Sequence, residues 1–328
     1  MKKTGLRKMM SAAVIGLAGL ALMGCADDSG EAADSEQDSV SVGILQFMEH
    51  NSLNAAREGF VSELEEGGFI DGDTMSLEIM NAQGDQSNLQ SMSEQLSSNT
   101  DLMLAIATPA AQSLATAEEE KPVLFTAVTD PVDAGLVDSS DQPGRNLTGT
   151  SDMVPIDEQI RLLLSIVPDA QTVGIIYNSS EPNSEIQANL AIEALEAEGV
   201  TAEVATVTST NDVQQVTESL MQRIDALYIP TDNTMASTSA TVGELAIENQ
   251  IPVVAGSMEQ IEEGGLATYG INYNELGRQT ARMAIEILTN DASPDSMAVE
   301  TSEFLELVVN EDMAVELGID PDSISLTD

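Results

Sequence analysis

The chain has 328 residues, in which 56 Asp and Glu face 11 Lys and Arg, for a formal net charge of −45 at pH 7. So acidic a surface excludes nucleic acid as a general partner, because phosphate repels it. A single cysteine and a single histidine exclude an intrachain disulfide and a thiol metal cluster, and leave little from which to build a nucleophilic active site.

Lys2, Lys3, Arg7 and Lys8 precede an apolar run from Ala12 to Met23. This is the charged start and short apolar region of a secretory signal, residues 1–24, too short to span a bilayer comfortably. The run ends in Leu22-Met23-Gly24-Cys25, which resembles the lipobox of bacterial lipoproteins. That resemblance implies cleavage before Cys25, lipid on its thiol, and an extracytoplasmic protein anchored to the cell membrane. Residues 25–39 read as an acidic tether with almost nothing apolar to fold around. Loss of the signal leaves 7 basic residues, of which Lys121 is the one lysine, against 56 acidic ones. This excess reads as a halophile's surface, on which salt screens the self-repulsion.

From Ser39 the chain alternates strand and helix. Ser39 to Phe47 reads as a strand, and Leu53 to Glu66 as a helix with Leu53, Ala56, Phe60 and Leu64 on one face, stopped by Gly67-Gly68. Met75 to Met80 is a strand and Ser87 to Leu96 a helix. Leu102 to Ala107 is an apolar run ended by Thr108-Pro109, a strand buried on both faces that leads into a helix from Ala110 to Glu118. Val123 to Thr126 is a fourth strand, and Asn146 to Thr150 leaves the first domain. From Ile156 the cycle restarts with helices at 156–166, 185–198, 213–224 and 235–248, and strands at 172–177, 204–207, 226–229 and 253–255. Tyr269 to Ile271, the amphipathic helix Asn274 to Leu288, a strand Phe304 to Val309 and a short helix Asp312 to Leu317 close the chain. Two sets of βαβ units predict an α/β fold of two doubly wound parallel-sheet lobes, with ligand beyond the carboxyl ends of the strands.

Two strand ends offer opposite chemistry. Thr108, Pro109 and Ala110 present a hydroxyl and free helix N–H groups suited to a carboxylate, although Thr108 is equally suited to cap its own helix. Thr126 and Thr129 add donors in the next turn, where Asp130 serves either the site or the following helix start. Asp152, Glu181 and Asp232 are candidates for a ligand ammonium, Asp232 first among them because a carboxylate in a dry cleft forms a strong charge-assisted bond to an amine. Capping of the next helix competes for Asp232. Asn178, Asn183, Ser184, Asn233 and Thr234 add hydrogen bonds at the same edge. Gln46, Phe47 and Tyr269 offer walls for an aromatic guest, while His50, on a polar turn near the mouth, reads as exposed.

Several phrases resemble the substrate-binding lipoproteins of ABC importers, and within them the subfamily associated with tryptophan and other aromatic amino acids. They are FTAVTDPVDAGLV at 125–137, NLTGTSDMVP at 146–155, YNSSEPNS at 177–184, YIPTDNT at 228–234 and GGLATYGINYNELG at 264–277. The resemblance implies a type I periplasmic-binding-protein fold with three hinge crossings, near Thr148 to Asp152, Gly270 to Tyr273 and Asp295 to Thr301. Lobe 1 is then 40–149 plus 273–297, and lobe 2 is 150–272 plus 298–328. It also implies capture of a small solute, an amino acid such as tryptophan or phenylalanine, for delivery to a permease and its ATPase, with no cofactor, metal or catalysis. No G-x-S-x-G elbow and no G-x-x-x-x-G-K-[ST] loop occurs. A ligand-sensing ectodomain, a sugar binder and a surface hydrolase are the alternatives.

Overall fold

The computed structural model describes residues 39–326, so the expectations for the signal, Cys25 and the tether up to residue 38 lie outside it. The first half runs β1 (Val40–Gln46), α1 (Asn51–Glu66), β2 (Met75–Asn81), α2 (Gln86–Asn99), β3 (Leu102–Ile106), α3 (Thr108–Ala117), β4 (Val123–Val128) and β5 (Leu147–Ser151). The second runs α4 (Ile156–Ile166), β6 (Thr172–Asn178), α5 (Pro182–Ala197), β7 (Thr201–Val207), α6 (Thr210–Met221), β8 (Ala226–Ile229), α7 (Asn233–Ala236), α8 (Ser239–Asn249), β9 (Val253–Ala255), α9 (Met258–Glu263) and β10 (Ala267–Ile271). α10 (Tyr273–Asn290), β11 (Glu300–Thr301), β12 (Leu305–Val309) and α11 (Glu311–Glu316) follow.

Two six-stranded sheets result, ordered β11-β5-β4-β3-β1-β2 and β12-β10-β9-β8-β6-β7. Every pairing is parallel except β10 with β12, an antiparallel edge. Residue choice follows position in the sheet. The central β3, Leu102 to Ile106, is buried throughout, whereas edge strands β2 and β7 are half-exposed. Leu53, Ala56, Phe60 and Leu64 of α1 are all buried, as their spacing predicts, and each large one stabilises by about 1.5–3 kcal/mol.

The repeat is topological as well as sequential. Each sheet reverses its order once, between β1 and β3 and between β6 and β8, and such switch points open a crevice beyond the strands' carboxyl ends. The boundaries need a correction at two places. Thr150 and Ser151 pair with Glu300 and Thr301 in the first sheet, not the second, because β5 completes its ladder with β4 before the chain departs. α10 then returns to pack on α1, β4 and β5. Its approach to α1 is close: a Cβ on Gly277 would lie 1.9 Å from the Ala56 carbonyl oxygen, and one on Gly59 2.0 Å from that of Asn274. Only glycine permits backbones this near.

Candidate functional site

The carboxyl ends of seven strands meet at one small, largely enclosed cavity. From the first-sheet side come His50, Ser52 and Leu53 at the start of α1, Ala127 at the end of β4, and Asp152 after β5. From the other come Asn183, Thr231, Asp232, Asn233 and Ala236, with Ser257 and Gln260 after β9. Tyr273, the first residue of α10, completes it. The rims touch directly. His50 Nε2 lies 3.3 Å from Asn233 Oδ1, the Ser52 and Ser257 hydroxyls are 3.1 Å apart, and Asn51 bonds Glu263. The cleft is therefore shut.

Ala127 sits at a register break in β4 with φ +56°, and Ala107, just before α3, has φ +81°. Both are left-handed non-glycine residues at strand ends, a local strain of about 1–3 kcal/mol each that collects at functional sites.

The three acidic candidates divide. Asp232 Oδ1 accepts from the Met235 N–H at 2.8 Å and Oδ2 from the Asn178 N–H at 2.7 Å, so it caps α7 and ties it to β6. Burial, aided by the Glu181 charge, pushes its pKa up to about 7. Glu181 accepts from the Asn233 N–H and Nδ2 at 3.0 and 2.6 Å and from the Thr234 N–H and hydroxyl at 3.1 and 2.9 Å. Its oxygens are occupied behind the cavity wall. Asp152 is different: Oδ2 accepts the Tyr273 hydroxyl at 2.6 Å, while Oδ1 is buried without a partner. Burial raises its pKa, and the Tyr273 and Thr129 hydroxyls oppose that rise. Burial and the Asp152 charge carry the Tyr273 phenol well above its ordinary range, so it stays a donor.

Three further buried polar atoms on this cavity also lack partners: His50 Nδ1, Asn183 Oδ1 and Gln260 Nε2. Buried polar groups are almost always paired, and these four orphans, two from each side, surround one cavity.

Of the other sequence candidates, Asn178, Ser184 and Thr234 stand behind the wall, with Asn178 Nδ2 on the Thr234 hydroxyl at 2.7 Å. Thr129 is buried beside Asp152 and accepts from Gln187 at 3.3 Å. The remainder do not reach the cavity. Gln46 is held by Met48 in the turn after β1 and by Asn54 and Arg57 of α1, and Phe47 is core. Thr126 joins the Thr150 and Thr280 hydroxyls, Asp130 caps the turn at Val132 and Asp133, and Pro109 and Ala110 lie within α3. Thr108 is buried with an unpartnered hydroxyl but does not line the cavity. Tyr269 offers its carbonyl to Gln159, and the aromatic at the crossing is instead Tyr273.

His50 is buried, not exposed, because Asn233 covers it; burial drives its pKa down to about 4, which the Asn233 bond only partly offsets. Ser52, Ser257 and Gln260 carried no sequence signal beyond their place after a strand. Among the described residues no cluster of His, Cys, Asp or Glu is arranged to hold a metal, and no helix is long and apolar enough to cross a membrane.

The Tyrosine-binding protein of Clostridioides difficile is 37% identical over 314 residues, covering 93% of this chain and 91% of that protein. An ABC domain from Streptococcus pneumonia, solved in complex with L-Trp, superposes with a TM-score of 0.83 at 37% identity, over 87% of this chain and 97% of that one. The ligand-free, open structure of a substrate binding protein with adhesive properties from Clostridium difficile is 42% identical, yet superposes at only 0.68, over 86% and 95%. Residues 41–326 match the family described as ABC transporter substrate binding protein. Coverage of this extent, by a family and by a relative, leaves one conclusion: the chain belongs to the substrate-binding proteins of ABC transporters.

Proposed function

We propose that the cavity captures an aromatic amino acid outside the cytoplasm for a membrane permease, and that Asp152 is the residue that meets its ammonium group. The observation that carries this reading is Asp152 Oδ1, a buried carboxylate oxygen with no partner on a cavity wall. An uncompensated buried charge is costly, and a cationic donor removes that cost. The Tyr273 ring and Leu53 supply apolar surface beside it, as a flat guest requires. The likeness to a tyrosine-binding protein and to an L-Trp complex supports the ligand class. Better superposition on the complex than on the open structure agrees with a cleft already shut over its site.

In this reading the lobes hinge where the chain passes between sheets: at Asp152, at Asn272 between β10 and α10, and at Ser302 between β11 and β12. Cys25 carries the lipid that holds the protein at the membrane, and the tether lets it reach the permease.

The test is a thermal-shift screen of the twenty amino acids and a panel of sugars, followed by calorimetry. A ligand at a hundred times its Kd stabilises by about 2.7 kcal/mol. L-tyrosine, L-tryptophan or L-phenylalanine should shift the wild type and fail to shift Asp152→Asn. Stabilisation by sugars alone would overturn the reading.

A further inference from the structure

His50 and Asn233 sit on opposite rims, and their contact has a fixed polarity. Asn233 Nδ2 points at Glu181 Oε2 over 2.6 Å, and the backbone N–H groups of Asn233 and Thr234 donate to the same carboxylate. A carboxylate that gathers these donors is an acceptor, so the Asn233 amide cannot turn around. Its Oδ1 must therefore face His50, and a carbonyl oxygen only accepts. His50 Nε2 is consequently the protonated nitrogen, and in the neutral ring Nδ1 carries a free lone pair. That atom is buried, without a partner, on a residue that lines the cavity.

We infer that His50 is a specificity-determining residue whose Nδ1 accepts a hydrogen bond from an N–H or O–H of the ligand, in a tautomer set by Glu181 through Asn233. This rests on the reading of the cavity as the ligand site and adds a demand that Asp152 does not make. A guest must bring a second donor to the start of α1, beyond the one that Asp152 takes. The tautomer is chosen only when the rims meet, so closure itself creates the acceptor.

The arrangement also couples capture to pH. Burial in the closed cavity pushes the ring down from its ordinary value of 6.5 to about 4, and opening the cleft to water removes the cause of that shift. Below pH 6.5 closure must release a proton from the ring, and affinity falls with acidity by up to about tenfold per pH unit. Other ionisable groups face the ring or its partners: Asp152, Asp232 and Tyr273 on the cavity, Glu181 behind Asn233, and Glu259 and Glu263 of α9 beside the start of α1. Their titration is common to wild type and His50 variants and cancels in the ratio.

The experiment uses two substitutions with opposite geometry. The amide of Asn overlays the Nδ1 edge of histidine, and that of Gln the Nε2 edge. His50 makes no side-chain cap for α1, so neither substitution removes a bond that holds the helix. Calorimetric titration of the full chain with L-tyrosine, L-tryptophan and L-phenylalanine from pH 5 to 8.5 reads the outcome. At pH 8, His50→Gln should weaken binding about 10- to 100-fold, the cost of an unmade buried hydrogen bond. His50→Asn should stay within about fivefold of wild type, and the ratio of wild type to His50→Asn should lose its advantage as pH drops below 6.5. A loss confined to L-tyrosine identifies the phenol as the donor, and an equal loss for all three identifies the ammonium. Equal affinities in the two variants, or a wild type that matches His50→Gln, overturn the assignment while the ligand reading stands. A wild type that binds none of the three overturns both.

Discussion

Tyr273 gives its phenolic hydrogen to Asp152 Oδ2 over 2.6 Å and leaves the other oxygen of that carboxylate buried and free. The pair joins the first crossing to the start of α10, so the residue proposed to hold the ammonium is itself aimed by a second crossing. Asp152→Asn keeps the shape and loses the charge. Affinity for an aromatic amino acid should fall by about 2–5 kcal/mol, while the ligand-free melting temperature holds or rises because a desolvated carboxylate has gone. Tyr273→Phe should lose less affinity, since Asp152 keeps its charge and surrenders only its aim. Calorimetry with paired melting curves separates the two.

Asp232 yields a stability signature instead of a binding one. Its native pKa stands near 7 against an ordinary 3.8, so between those values the folded chain holds a proton that the unfolded chain has released. Stability from this group is thus greatest in acid and declines as pH climbs toward 7. Asp232→Asn should be less stable than wild type at pH 4, where a backbone N–H loses its acceptor, and the gap should narrow by pH 8. Urea unfolding at intervals across that range checks the sign; a gap that widens with pH would contradict it.

These two carboxylates show what could be read from the chain alone. The apolar runs of β3 and β8 and the spacing of α1 announced themselves, because burial on both faces or on one stripe leaves a pattern in residue type. Capping and ligand binding ask for the same side chain at the same strand end, so Asp232 and Glu181 could not be distinguished from Asp152 before their partners were known. His50 looked exposed because its cover, Asn233, lies 183 positions away. Tyr273 was passed over for Tyr269 because a helix's first residue has no periodicity to mark which way it faces.

Charge makes a third prediction. The described cations are largely arginines that already serve acids, as Arg278 does for Glu63 at 2.9 Å and Arg161 for Asp157 at 3.0 Å. The remaining carboxylates repel one another across the surface at a net charge of −45. Raising sodium chloride from 0.1 to 3 M, concentrations chosen so that the screening length contracts from about 10 to a few Å, should raise the melting temperature progressively. A flat series would remove the halophilic reading.

Gly277→Ala tests the helix pair. The added methyl would have to displace the Ala56 carbonyl of α1, and overpacking of this kind costs about 1–3 kcal/mol or more. The urea midpoint should drop with an unchanged slope. An exposed control such as Gly72→Ala, at φ +79° with nothing near its Cβ, should lose only what its backbone demands.

That same seam governs how the molecule grips. His50 and Ser52 ride at the head of α1 and Tyr273 at the head of α10, and where two backbones touch there is no slack for one to slide past the other. The upper jaw is accordingly a single casting. Whatever tilts it swings histidine and phenol together, so a guest is seized at both ends in one stroke or at neither.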